Sequence, residues 1–237
     1  MPEKDSWPVA RRSFLSRLGV GLTAFGATLG TGAATAQAQA PASGGRWQAG
    51  RHAQDDWLDQ LPGQHRFVFD TTNPDGFGGA LLYANNFFLA NQNGYGLGNA
   101  DLAVVIVVRH NSTLFGYNDA IWAKYGAVLG QTANITDPQT KQAAKVNVYN
   151  SSALATGLPS GGNTLDSLLK KGVHLAVCQM ATRRFAGAIA QATGGTADAV
   201  YNELVANLVS NAHMVPAGIV AINRAQERGY SFTNVGV

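Results

Sequence analysis

Residues 103–108, Ala103-Val104-Val105-Ile106-Val107-Val108, form an unbroken apolar run with a β-branched side chain at every position after the first. A strand with one face in water alternates apolar and polar residues. A run with no polar member suits a strand covered on both faces, as in a parallel sheet sandwiched between helices. Working outward from it, Arg66-Phe67-Val68-Phe69-Asp70, Gly172-Val173-His174-Leu175-Ala176-Val177-Cys178, His213-Met214-Val215 and Tyr230-Ser231-Phe232-Thr233 also read as short strands. The first ends in the turn-rich Thr71-Thr72-Asn73-Pro74-Asp75-Gly76. Apolar spacing predicts helices at residues 80–90, 118–125, 183–191, 197–210 and 218–228, the last stopped by Gly229. Strands that alternate with helices imply right-handed crossovers, hence an α/β protein with an open, mainly parallel sheet. Ligands of such sheets sit beyond the carboxyl ends of the strands.

The ends of the chain have a different character. Ala10-Arg11-Arg12-Ser13-Phe14-Leu15-Ser16 opens a long stretch, from Leu18 to Gly45, that carries no charge and is rich in Ala, Gly and Thr. This reads as a twin-arginine export signal over residues 1–40, cut after the small residues of Ala36-Gln37-Ala38-Gln39-Ala40. Gly and Thr dilute the stretch below what a comfortable membrane span needs, so no stable membrane insertion is expected after cleavage. The expected location is the periplasm or another extracytoplasmic site. The whole chain has 17 basic and 14 acidic residues. Losing Lys4, Arg11, Arg12, Arg17, Glu3 and Asp5 with the signal leaves 13 basic and 12 acidic. A nearly neutral protein argues against a nucleic-acid partner. Residues 41–64 read as a linker or loosely docked arm carrying Trp47 and Trp57, and residues 65–237 as one domain. Within that domain residues 126–164 look irregular, long enough for a flap or an oligomer contact.

Cys178 is the one cysteine of the chain and cannot form an internal disulfide. It falls where a strand ends and a helix begins, shortly before Arg183 and Arg184, so a helix N-terminus and two guanidinium charges both favour its thiolate form. The opposing reading is a small, inert core residue. His110 follows the second strand on the same sheet edge, where it is either a proton donor or ligand or a loop histidine bonded to backbone. His52, His65, His110, His174 and His213 show no paired spacing, so no metal site is expected, and no cofactor. Gly76, Gly78 and Gly79 invite a phosphate-loop reading, but Leu81 stands where the dinucleotide fingerprint needs its third glycine, and a plain turn is expected.

The strand ending in Cys178, the segment Met214-Val215-Pro216-Ala217-Gly218-Ile219-Val220-Ala221-Ile222 and the following Gln226-Glu227-Arg228-Gly229-Tyr230 resemble the DsrE/DsrF-like (YchN-like) family of small sulfur-relay proteins. The order of the pieces supports the resemblance, including Val108-Arg109-His110 and the helix from Asn118-Asp119 to Lys124-Tyr125. It implies a flavodoxin-like three-layer sandwich with about five strands, and a homo-oligomer of trimeric or hexameric type. It also implies a sulfur acceptor at Cys178, loaded as a persulfide and served by a sulfur-donor or acceptor protein. The alternative on the same fold is a non-catalytic periplasmic binding or assembly protein. A dithiol oxidoreductase is disfavoured because the chain has no resolving cysteine.

Overall fold

In the computed structural model the described residues are 47–236, and Gln48–Val237 gather into one compact unit. The export signal expected at residues 1–40 and the first six residues of the arm lie outside the described residues. Five strands form the sheet: β1 (His65–Thr71), β2 (Leu102–Val108), β3 (Val173–Cys178), β4 (Ala212–Val215) and β5 (Ser231–Asn234). Their order across the sheet is β4-β3-β2-β1-β5, and every neighbouring pair is parallel. The helices are α1 (Trp57–Gln60), α2 (Pro74–Tyr95), α3 (Asp119–Ala133), α4 (Ser152–Ala155), α5 (Leu165–Lys170), α6 (Gln179–Thr193), α7 (Ala197–Ala206) and α8 (Gly218–Gln226). The protein is an α/β three-layer sandwich of flavodoxin-like architecture.

The layers follow from the handedness of the connections. Stepping from β1 to β2, β3 and β4 in one direction by right-handed crossovers puts α2, α3, α6 and α7 on one face. The chain then turns back to place β5 beyond β1, and that reversal puts α8 on the other face. The core divides accordingly. Phe69, Val104, Ile106, Val108, Leu175 and Val177 pack on the first face with Phe77, Phe88, Trp122, Phe185 and Leu204. Val68, Val105, Val107 and Ala176 pack on the second with Leu58, Ala221, Ile222 and Ala225. All seven residues of β2 are buried, as its unbroken apolar run requires. The connections leaving β3 and β4 therefore part to opposite faces, which opens a crevice between their carboxyl ends.

Several boundaries differ from the sequence reading. Helix α2 begins at Pro74 and not near residue 80, because the Asn73 side chain caps the Gly76 N–H at 2.7 Å and Pro74 suits the first helical position. The glycines expected in a turn are thus helical. They serve packing: a Cβ on Gly76 would strike the Val235 carbonyl, and one on Gly78 would lie 2.5 Å from the Tyr149 hydroxyl. Helix α3 runs on to Ala133, ending at Asn134 in the left-handed region. The irregular stretch after it is not a free flap, since Ala144, Val148, Tyr149 and Leu154 belong to the core.

The described part of the arm is fixed as well. Leu58 and Leu61 are buried, their carbonyls accept from Arg66 at 2.9 and 3.2 Å, and the Tyr230 hydroxyl donates to Leu58 at 2.8 Å. The Asp59 carboxylate meets Arg228 of the α8 end at 2.9 Å. Trp57 lies over His213 and His174, two residues that sequence spacing kept apart and that β3 and β4 bring side by side.

Candidate functional site

Cys178 is both the last residue of β3 and the N-cap of α6, since the helix starts directly at Gln179 with no intervening loop. This placement puts its thiol at the crevice between β3 and β4. A cavity of about 290 Å³ opens there. Cys178, Met180 and Arg184 line it from the α6 side, Arg109 and His110 from the turn after β2, and Ala217, Gly218 and Ile219 from the start of α8. Its wall is mainly apolar. Cys178 is only 6% exposed, whereas Met180 and Ile219 are 70% and 61% exposed and flank the opening. Neither α6 nor α8 has a side chain capping its N-terminus, so two sets of first-turn N–H groups border one space.

Arg109 is the residue that organises the floor. Its Nε and one terminal nitrogen donate to the two carboxylate oxygens of Asp70 at 2.7 and 2.8 Å, and Asn234 of β5 donates to the same carboxylate at 2.7 Å. A two-point fork of this kind fixes the plane of the guanidinium. The Asp70 hydrogen bond raises the Arg109 pKa above its usual value against the opposing effect of burial; the Asp70 charge and negative charge on Cys178 act in the same upward sense. Gly218 makes room for this side chain. A Cβ there would lie 2.7 Å from Arg109 Cβ and 3.0 Å from Val107 Cγ1.

The turn that carries His110 is pinned from β1. The Arg109 N–H donates to the Thr71 carbonyl at 3.2 Å, the Asn111 N–H to Thr72 at 2.9 Å, and the Ser112 hydroxyl lies 2.9 Å from the Thr71 carbonyl. Between these anchors His110 adopts φ 52°, a left-handed conformation that is uncommon for a non-glycine residue. Such a conformation persists where neighbours over-determine it and is concentrated at functional sites. Here the residue that adopts it lines the cavity that holds Cys178.

The two arginines proposed from sequence separate. Arg184 lines the cavity and donates to the Asn111 side chain at 2.8 Å, linking α6 to the turn of His110. Arg183 does not line it: it points toward α7, lying 4.2 Å over the Tyr201 ring and 3.6 Å from Asp198. A shift of one position along a helix turns a side chain by about 100°, which is why adjacent arginines cannot serve the same site. Behind Cys178, Tyr117 donates to the Thr182 hydroxyl at 3.0 Å, and Thr182 donates to the Cys178 carbonyl at 3.0 Å. The strand end is thereby held from the core side.

Of the residues singled out from sequence, the structure brings Cys178, Arg184 and His110 to one cavity and leaves Arg183 apart, and it adds Arg109 and Gly218, which sequence reasoning missed. A signal for Arg109 was present: Asp70 closes an apolar strand and Arg109 follows another, so adjacent parallel strands would bring the charges together. Among the described residues no group of three or more His, Cys, Asp and Glu could hold a metal ion, and no helix is long and apolar enough to cross a membrane. The fold and the site define an all-parallel α/β protein with a thiol-bearing cavity at its topological switch point. No family model matches the chain, and no curated protein or solved structure matches it.

Proposed function

We propose that the protein is an exported sulfur carrier of DsrE-like type, which accepts a sulfane sulfur on Cys178 and releases it to an acceptor. The observation that carries this reading is the position of Cys178: a shielded thiol at a helix N-terminus, facing a cavity bordered by Arg109, Arg184 and His110. Helix N-termini and guanidinium groups favour negative charge on sulfur, both in the attacking thiolate and in the perthiolate that follows. In the step itself the Cys178 thiol gives up its proton to water, with His110 lining the same cavity as a candidate relay. Its Sγ then attacks the outer sulfur of the donor; a new S–S bond forms, the donor's S–S bond breaks, and the electron pair leaves with the donor fragment. No oxidant is consumed. The cavity shields the bound sulfur from other thiols.

The family resemblance, the export route and the homo-oligomeric state belong to the same proposal and rest on the sequence. The mainly apolar wall also favours a second reading, in which the cavity holds a small ligand and Cys178 is inert. Intact-mass measurement on protein purified from its native compartment separates the two. A mass gain of one sulfur atom, lost in Cys178→Ser and on treatment with a thiol reductant, supports the carrier. A protein that never gains sulfur from any persulfide donor supports the binding role.

A further inference from the structure

The sulfur atoms of the described residues belong to Cys178, Met180 and Met214, and they differ in access. Cys178 is 6% exposed and Met214 packs against the first-face core, whereas Met180 is 70% exposed. Met180 is the second residue of α6 and lines the same cavity as Cys178, with Ile219 as the other exposed apolar side chain of its wall. The thioether thus meets solvent at a site whose thiol does not. Four residues further along α6 stands Arg184, which also lines the cavity. Residues at this spacing share a helix face, with Cβ atoms about 5–6 Å apart. Arg184 is exposed and donates through one terminal nitrogen to Asn111 at 2.8 Å, which leaves guanidinium N–H groups for a further acceptor. The first-turn N–H groups of α6 lack a side-chain cap, and the neighbouring Gln179 amide is engaged with the Tyr201 hydroxyl at 2.7 Å. Donors therefore border a thioether, which is a weak acceptor. One oxygen added to that sulfur would give them a strong one.

We propose that Met180 is an oxidation site, and that its sulfoxide accepts a hydrogen bond from Arg184 and narrows the mouth of the cavity over Cys178. The oxidant is of the hypohalous acid class. Met180 Sδ gains the oxygen and gives up two electrons; the oxygen–halogen bond breaks, the halogen leaves with the electron pair as halide, and the proton passes to water. Sulfur oxidation follows intrinsic reactivity and exposure. Toward an oxidant that takes thiol and thioether alike rapidly, access decides the order, and the exposed Met180 is consumed before the shielded Cys178. The change is recoverable, because sulfoxide reductases return the thioether, one enzyme for each epimer, whereas a cysteine carried on to the sulfonic acid is lost. This inference goes beyond the sulfur-carrier reading and holds whether or not Cys178 carries sulfur.

The test treats the purified full chain with less than one equivalent of hypochlorous acid and then with dithiothreitol, which returns a sulfenic acid to the thiol and leaves a sulfoxide in place. Peptide mass locates the added oxygen, and iodoacetamide alkylation of Cys178 is timed in the species oxidised at Met180. Expected is oxygen on Met180 ahead of Cys178 and Met214, with alkylation about tenfold slower, as for a mouth held closed by one charge-assisted hydrogen bond. Sulfoxide reductases of both epimer specificities should restore the rate. Met180→Leu, which keeps the apolar bulk, should alkylate equally fast before and after the oxidant, and Arg184→Gln should be oxidised at Met180 without slowing. Oxygen that reaches Cys178 or Met214 first overturns the site. A Met180 sulfoxide that leaves the rate unchanged overturns the closure, as does a thiol that iodoacetamide cannot reach before oxidation, since no open mouth is then there to shut. Slowing that persists in Arg184→Gln overturns Arg184 as the partner.

Discussion

The Nδ1 of His174 and the Nε2 of His213 lie 2.9 Å apart, and the Trp57 ring stacks on His213 with centroids 4.0 Å apart. At this spacing one imidazole donates and the other accepts, so the arrangement requires the pair to share a single proton. The flat stack holds the arm against the second face of the sheet.

Acid should therefore loosen this corner. Burial lowers both histidine pKa values, and for His213, where the His174 charge adds to it, the value falls from 6.5 to about 4. The unfolded chain takes up protons near 6.5 while the folded chain resists them, so the stability contribution is complete above that pH and declines as pH falls toward 4. Urea midpoints at pH 7.5 and 5 should drop further for the wild type than for His213→Gln. Equal drops would assign the acid sensitivity to other groups.

Removing Arg109 should cost far more than a surface charge. Asp70 is 2% exposed, and Arg109→Met would leave its carboxylate with Asn234 as the remaining side-chain partner. Breaking a buried pair on one side typically costs about 3–5 kcal/mol. Denaturation should show a loss of that order, largely recovered in the double variant Arg109→Met with Asp70→Asn, which removes the stranded charge.

Gly218→Ala provides a gentler probe of the same floor. The added methyl meets Arg109 and Val107, and overpacking of this kind costs about 1–3 kcal/mol. Arg109 has to shift to relieve it. Alkylation of Cys178 by a small anionic reagent such as iodoacetate should slow relative to the neutral iodoacetamide, since only the former uses the guanidinium. An unchanged ratio of the two rates would separate Arg109 from the cavity's anion preference.

Export is tested at Arg11 and Arg12. Changing both to lysine keeps the charge but removes the guanidinium geometry. The double variant should remain in the cytoplasm as an uncut precursor; normal accumulation in the periplasm would dismiss the twin-arginine route.

Assembly has its own readout. Light scattering on the chain from Pro41 should give several times the mass of one subunit, and a monomer at micromolar concentration would remove the oligomer from the proposal.

The sheet was legible because its strands are short apolar runs whose neighbours are helices, and β2 in particular admits no half-solvated alternative. Cys178 and His110 could be placed because each lies at or just beyond a strand end, whereas Arg183 and Arg184 sit more than a turn into α6, where closeness in sequence does not say which one faces the cavity. What escaped notice depends on pairs distant in sequence. Asp70 and Arg109, or His174 and His213, meet only through the β4-β3-β2-β1-β5 order. Gly218 looked like an ordinary helix start, because nothing local records that Arg109 must pass beneath it. The first turn of α2 was hidden by glycines with low helix propensity, and its role became clear only when Tyr149 and Val235 were seen to press on them.

Among the described residues the last strand pairs with the first: β5 closes on β1 through Phe67↔Ser231 and Asp70↔Asn234. The stretch just before β5 supplies Arg228 and Tyr230, which moor the arm at Asp59 and Leu58. A nascent chain halted before Gly218 would lack the whole of that mooring, and its Asp70 would have no Asn234. Two segments far apart in sequence thus hold one another in place, so that loosening either should free the other before the central β2-β3 pairing gives way.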